Sequence, residues 1–256
     1  MSNTLRFIGR VIPEVSRLTI PNHPSFRWQD DENGFVMHIS VRIVESEITV
    51  SCDFVEPYER AKHFVSAHMR AMDISMAAVN LAAFGMGMGA SVVIDAYVEP
   101  DGIERGIIFR DRKLEALAKV ADPAGATFDK ALDVVYDDIR MFNVLHDLSR
   151  ANSVPSAVPG SCGSAVEAIR ALLVPKGADR KEGWPLLRNN LNVTEGFLKL
   201  VTDHAAPARH GEHPYVDGKT TEEIAHRAWT LLNRYFEFRI RGSKPLPESE
   251  FPVLGV

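Results

Sequence analysis

The sequence predicts an α+β fold, with a mixed sheet-and-helix domain over residues 1–111 and an all-helical bundle over residues 112–256. Three observations predict it. Apolar Phe35, Met37, Ile39, Val41 and Ile43 recur at every second residue, the period of a half-buried strand. Two further Val/Ile-rich runs flank Pro100-Asp101-Gly102, where Pro presets one turn angle and Gly accepts positive φ. From Arg112 onward the apolar residues recur at helical spacing only.

The elements follow in order. Residues 35–44 and 48–55 make one hairpin, joined through Glu45-Ser46-Glu47. Residues 58–84 contain neither Gly nor Pro, and Met69, Met72, Met76 and Val79 keep helical spacing, so a helix lies across the sheet. Residues 91–98 and 103–109 make the second hairpin. The expected core of this domain joins Met37, Ile39, Val41 and Val93 to Met76.

In the second half, Phe128, Leu132, Val135, Ile139 and Phe142 step by four and three. That seam suits packing against a helix, and it motivates a homodimer through the helical part. Residues 152–163, rich in Pro, Gly and Ser, read as a loop, after which Ser164 and Glu167 form a capping box for a short helix ended by Pro175. Pro185 opens a helix running through Leu191, Phe197 and Val201 to about Ala206. Thr220-Thr221-Glu222-Glu223 caps the last long helix, which buries Ile224, Ala228, Leu231, Tyr235 and Phe238. From Gly242 onward three prolines give an irregular tail.

A hydrophobic share of 45% with 25% charged residues is the balance of a soluble globular protein. The net charge of −5 argues against a broad nucleic-acid footprint and leaves room for a local basic site. Cys52 and Cys162 cannot build a disulfide framework and suit a reducing cytosol. The first residues lack the pattern of a signal peptide, and the apolar stretch around residues 74–94 is interrupted by Asn80 and three glycines. A cytoplasmic protein without a membrane partner is expected.

Several segments invite a chemical reading. Gly85, Gly87 and Gly89 evoke a phosphate loop, but they close a helix and lead into a strand, the reverse of a dinucleotide fingerprint. Cys162 stands where a helix start would activate a thiol, with no base nearby in sequence. His210, Glu212 and His213, with His204 and Asp203, are metal-ligand types but match no strong zinc template. No metal and no cofactor is expected. Arg227, Arg234 and Arg241 recur every seven residues and so share one side of the last helix, where such a row can meet phosphate.

The densest polar segment is Asp203 to His213, read as a loop between two helices. Arg209-His210-Gly211, followed by a long late helix, resembles the end of HEPN-type helical domains, over about residues 165–239. That resemblance implies a paired helical bundle and metal-independent ribonuclease activity. Arg209 would then contact phosphate, and His210 or His213 would act as general acid/base. His213 follows Arg209 after a shorter gap than that family's. The front half, with Ala83-Phe84-Gly85 and Val92-Val93-Ile94-Asp95, is similar to uncharacterised bacterial proteins.

Chemically, metal-free RNA cleavage needs a base for the 2′-hydroxyl and a cation for the phosphorane, and Arg209 with His210 or His213 holds both types in one segment. Two expectations therefore stand. One is a bacterial cytosolic protein that binds or cleaves RNA; the other is a non-enzymatic dimeric interaction or sensor protein with a structural helical domain.

Overall fold

The computed structural model describes residues 3–21, 25–107, 112–175, 179–212 and 216–255. The chain divides into two compact units, Met1–Ile108 and Phe109–Val256, close to the expected boundary. The fold is α+β, a sheet-and-helix unit followed by a helical one.

The first unit holds strands β1 (Thr4–Ile12), β2 (Ser25–Asp30), β3 (Phe35–Val44), β4 (Glu47–Phe54), β5 (Ser91–Val98) and β6 (Glu104–Gly106), with helix α1 (Arg60–Met86) between β4 and β5. They form one antiparallel sheet in the order β2-β3-β4-β1-β5-β6. Both expected hairpins are present, the second with its outer strand reduced to β6 and residues 108–109 of that expected strand outside the described residues, and so is the helix across the sheet. Two strands were not anticipated. β1 lies between the hairpins and joins them, and β2 forms the edge beside β3.

Local chemistry explains the connections. Glu45 and Ser46 both take left-handed φ, 51° and 69°, as a two-residue hairpin turn requires. Ser46 is buried and tied down. Its N–H donates to Leu18 O at 2.8 Å, and its Oγ accepts from Leu18 N at 2.9 Å. α1 stops at Gly87, which is left-handed, while Met88 N donates back to Ala83 O at 3.0 Å. The glycines thus end a helix.

Met37, Ile39 and Val41 are buried with Phe7 and Val50 beneath Ala67, Ala71 and Val79 of α1, and Met76 packs against this core half-buried. Val93 does not join them; Ile94 takes that place. The β1–β5 register shifts between Ile8 and Gly9, and such a bulge changes which residue faces the core.

The second unit holds helices α2 (Arg112–Leu117), α3 (Phe128–Asp137), α4 (Arg140–Ser153), α5 (Val158–Leu173), α6 (Gly183–Leu191), α7 (Glu195–Arg209) and α8 (Gly218–Ile240). α5 is central and packs on α4, α6, α7 and α8. All five residues expected on the buried side of α8 are buried.

Four expectations need correction. The segment read as a loop is helical from Val158, and Ser161, Cys162 and Gly163 are buried in it. Ser164 is therefore inside α5 and caps nothing. The helix expected to run from Pro185 to Ala206 breaks at Asn192, which is left-handed at φ 50° and separates α6 from α7. The cap of α8 is Asp217, whose carboxylate accepts from Thr220 N at 2.9 Å. Finally, the seam of Phe128 to Phe142 does not face the core as one stripe: Val135 is buried, whereas Ile139 and Phe142 are exposed. α3 ends at Asp138 in an extended conformation, and Ala131, Val134, Val135, Met141 and Val144 are the buried residues.

Candidate functional site

The polar segment 203–213 is mostly helix. α7 continues through Arg209 with Pro207 inside it, and Gly211 then turns left-handed at φ 79°. Glu212 N donates to Pro207 O at 3.0 Å, which closes the helix end. His204 donates from Nδ1 to Leu200 O at 2.8 Å, so it is occupied along its own helix. His210 is exposed on the turn. The Arg209 side chain and the whole of His213 lie outside the described residues. Among the described residues no group of three or more His, Cys, Asp or Glu is placed to hold a metal ion.

The arginine row on α8 is not a solvated cationic face. Arg227 is buried; its Nε meets Glu223 Oε1 at 2.7 Å and its Nη1 donates to Phe197 O at 3.0 Å. Arg234, 6% exposed, donates to Leu191 O, Asn192 O and Pro252 O, each at 2.8 Å. Leu191 and Asn192 end α6, so Arg234 serves carbonyls that a helix terminus leaves unpaired. Arg241 is bound by Glu237 at 3.0 Å and Glu250 at 2.9 Å. The side that these residues share is directed at α7, the α6–α7 junction and the tail. They clamp the bundle.

Cys162 is fully buried, and burial pushes its thiol up to about 12, so it is a packing residue rather than a nucleophile.

A different feature of the second unit has the form of a binding site. α4 and α8 pack together, and between them lies a cavity of about 310 Å³. Its walls are Leu145, Leu148, Ser149 and Asn152 from α4, and Trp229, Leu232, Asn233 and Phe236 from α8. Val120 and Ala121, from the turn after α2, line it as well. On each helix the lining follows i, i+3, i+4, i+7, one stripe of a helix surface. The volume is at the small end of the range for ligand pockets. The lining is mostly apolar, with three uncharged polar side chains. One of them, Asn233, has a buried Oδ1 with no hydrogen-bond partner. An unmade buried acceptor is costly, and a side-chain rotation that turned it toward a donor in the cavity would recover that loss.

Leu145 belongs to a second feature. Tyr136, Ile139, Phe142 and Leu145 are exposed, at 68%, 74%, 45% and 37%. Tyr136 and Phe142 meet ring edge to ring at 6.3 Å. This apolar strip contains two members of the sequence-predicted seam, Ile139 and Phe142, turned outward, and it leads by Leu145 to the cavity wall.

Sequence reasoning missed the cavity. Its signal was present, since two helical stripes carry polar Ser149, Asn152 and Asn233 at positions otherwise filled by Leu, Trp and Phe.

This is a two-unit α+β protein with a mostly apolar cavity in its helical unit. Residues 5–108 match the family described as "Domain of unknown function (DUF8168) N-terminal domain", and residues 128–240 match "Domain of unknown function (DUF8168) C-terminal domain". Each match falls within one compact unit. No curated protein and no solved structure matches the chain. Among the described residues no helix is long and apolar enough to cross a membrane.

Proposed function

We propose that the protein acts by binding, as a self-associating sensor of a small, mainly apolar molecule that carries one hydrogen-bond donor. The observation that supports this reading is an apolar cavity lined by Asn233, whose Oδ1 is buried without a hydrogen-bond partner. Phenol and toluene test it, because they differ by one hydroxyl. Phenol is expected to raise the melting temperature more than toluene, as ligand bound only to the folded state must. Asn233→Leu is expected to abolish that preference, and Leu148→Trp, which fills the space, to abolish both effects. Equal effects of phenol and toluene on the wild type, or none, would remove the reading.

Self-association through Tyr136, Ile139, Phe142 and Leu145 is the second part of the proposal. All four are exposed and two of them, Tyr136 and Phe142, touch; an exposed apolar patch is the kind of surface that marks an interface. Both cysteines are free and buried, which suits the bacterial cytosol that we propose as the compartment.

One observation favours a second reading, RNA binding or metal-independent cleavage at Arg209, His210 and His213: His210 is exposed on the turn after α7. Incubation of labelled RNA with the wild type, Arg209→Lys and His210→Ala in chelator tests it. Cleavage that falls by ~10²–10⁴-fold in His210→Ala supports general acid/base work. An RNA left uncut and unbound by the wild type ends it.

A further inference from the structure

The cavity and the apolar strip of the second unit share one side chain. Leu145 lines the cavity and is also 37% exposed, as the last member of the strip. Helix geometry accounts for the sharing. On α4, Phe142, Leu145 and Ser149 step by three and four, which is one row of a helix surface. The row that leaves the strip therefore becomes the rim of the cavity. Leu148 on α4 and Leu232 and Phe236 on α8 are buried and make its floor, while Leu145 and Ser149 are exposed and stand at its mouth.

The surroundings of the strip fit a second copy of this chain. A two-fold contact brings one surface against itself, so its border must offer both signs of charge. Between Tyr136 and Ile139 stand Asp137, held by Arg239 at 2.5 Å, and Asp138, held by Arg140 at 2.6 Å. Acids and arginines thus flank the strip together. Four side chains exposed to this degree form a patch on the order of 400 Å², and two copies face to face bury about 800 Å², below the usual size of a stable interface. Pairing through this strip is therefore weak. A weak pair lies near balance, where a modest free energy moves it.

We propose that occupation of the cavity and pairing of two copies are linked through Leu145, so that a small apolar molecule shifts the chain toward its dimer. This rests on the reading of the cavity as a ligand site and of the strip as the pairing surface. A second copy seated on the strip covers Leu145 and closes that rim of the mouth. A molecule in the cavity then exchanges contact with water on that side for an apolar wall, and it binds the pair more tightly than the single chain. By reciprocity the molecule tightens the pair by the same factor. The output of such a sensor is its oligomeric state.

The test is the dimer dissociation constant of the full chain, measured by sedimentation across a dilution series with and without phenol at a concentration that saturates its effect on the melting temperature. Phenol is expected to lower that constant about five-fold. Leu145→Ala, which removes the shared wall, is expected to reduce the response to less than about two-fold. Leu148→Trp, which fills the space, is expected to lose the response, and this excludes a general solvent effect of phenol. A dimer constant that phenol leaves unchanged while it still raises the melting temperature would overturn the linkage and leave the cavity reading standing. Phenol that alters neither quantity removes both. A response kept in full by Leu145→Ala or Leu148→Trp, weaker pairing in phenol, or a chain that stays monomeric throughout would each overturn the proposal.

Discussion

Arg234 donates to the carbonyl oxygen of Asn192 at 2.8 Å, and Asn192 in turn donates its side-chain amide to Leu246 O at 2.7 Å and Phe251 O at 2.9 Å. Asn192 is the left-handed residue between α6 and α7. One buried guanidinium thus stabilises a helix end, a chain reversal and the docking of the tail. Arg234→Lys keeps the charge but loses the fork that reaches three carbonyls, so it is expected to cost about 2 kcal/mol in urea unfolding. Arg241→Lys, at a partly exposed ion pair, is expected to cost under about 0.5 kcal/mol. Equal effects would show that Arg234 is no clamp.

Gly9 offers a steric test in the other unit. A Cβ built there stands 2.1 Å from Val93 O, a backbone atom that cannot swing aside. Gly9→Ala is expected to destabilise by about 3 kcal/mol or more, or to prevent folding, because β1 must separate from β5 to make room. A melting temperature within a degree or two of the wild type, on the order of experimental scatter, would contradict this close approach.

Acid stability should report on His68. Its ring is buried against Phe7 and Phe64, and burial holds its pKa down at about 4, below the ordinary 6.5. Between those values the unfolded chain takes up a proton that the folded chain refuses. The stabilisation is therefore complete above pH 6.5 and is lost as pH falls toward 4, by about 3 kcal/mol in all. His68→Leu is expected to flatten that part of the stability–pH curve. A slope unchanged in the variant would assign the acid sensitivity elsewhere.

The exposed strip makes an association prediction. Ile139→Asp and Phe142→Asp place charge on side chains that the fold leaves outside, so the monomer should unfold at nearly the same temperature. Light scattering is expected to show the wild type as a dimer and both variants as monomers. A wild type that stays monomeric at all concentrations tried would leave the strip without a partner.

Periodicity made much of this fold readable, and its failures have physical causes. β3 alternates without interruption, and its five inward residues are all buried. β1 was missed because Gly9 interrupts its apolar alternation of Leu5, Phe7 and Val11, for the packing reason just given. The start of α5 looked like a loop because it is rich in Pro, Gly and Ser. Propensity is overridden there, where small residues are buried at the centre of the bundle. Phe128 to Phe142 kept helical spacing across Asp138, where the helix stops and the phase is lost. In the arginine row, spacing showed correctly that Arg227 and Arg234 share a side. Which side was also legible, since Ile224, Leu231 and Phe238 flank them at intervals of three and four. The cavity stayed hidden because it depends on two stripes some eighty residues apart in sequence meeting face to face.

The position of β1 carries a consequence for biosynthesis. This strand comes first in the sequence yet occupies the interior of the sheet, with β4 on one side and β5 on the other. Its partner edges consist of residues 47–53 and 91–98. During translation, residues 4–12 therefore leave the ribosome with their hydrogen-bonding groups unmatched and Leu5, Phe7 and Val11 uncovered. The β4 edge closes after about half of the unit has emerged, and the β5 edge only when nearly all of it has. Such long-range pairing slows folding and lengthens the exposure of sticky backbone to other chains. The nascent protein therefore passes through a stage in which a chaperone that holds this first strand would raise the yield of correctly assembled sheet.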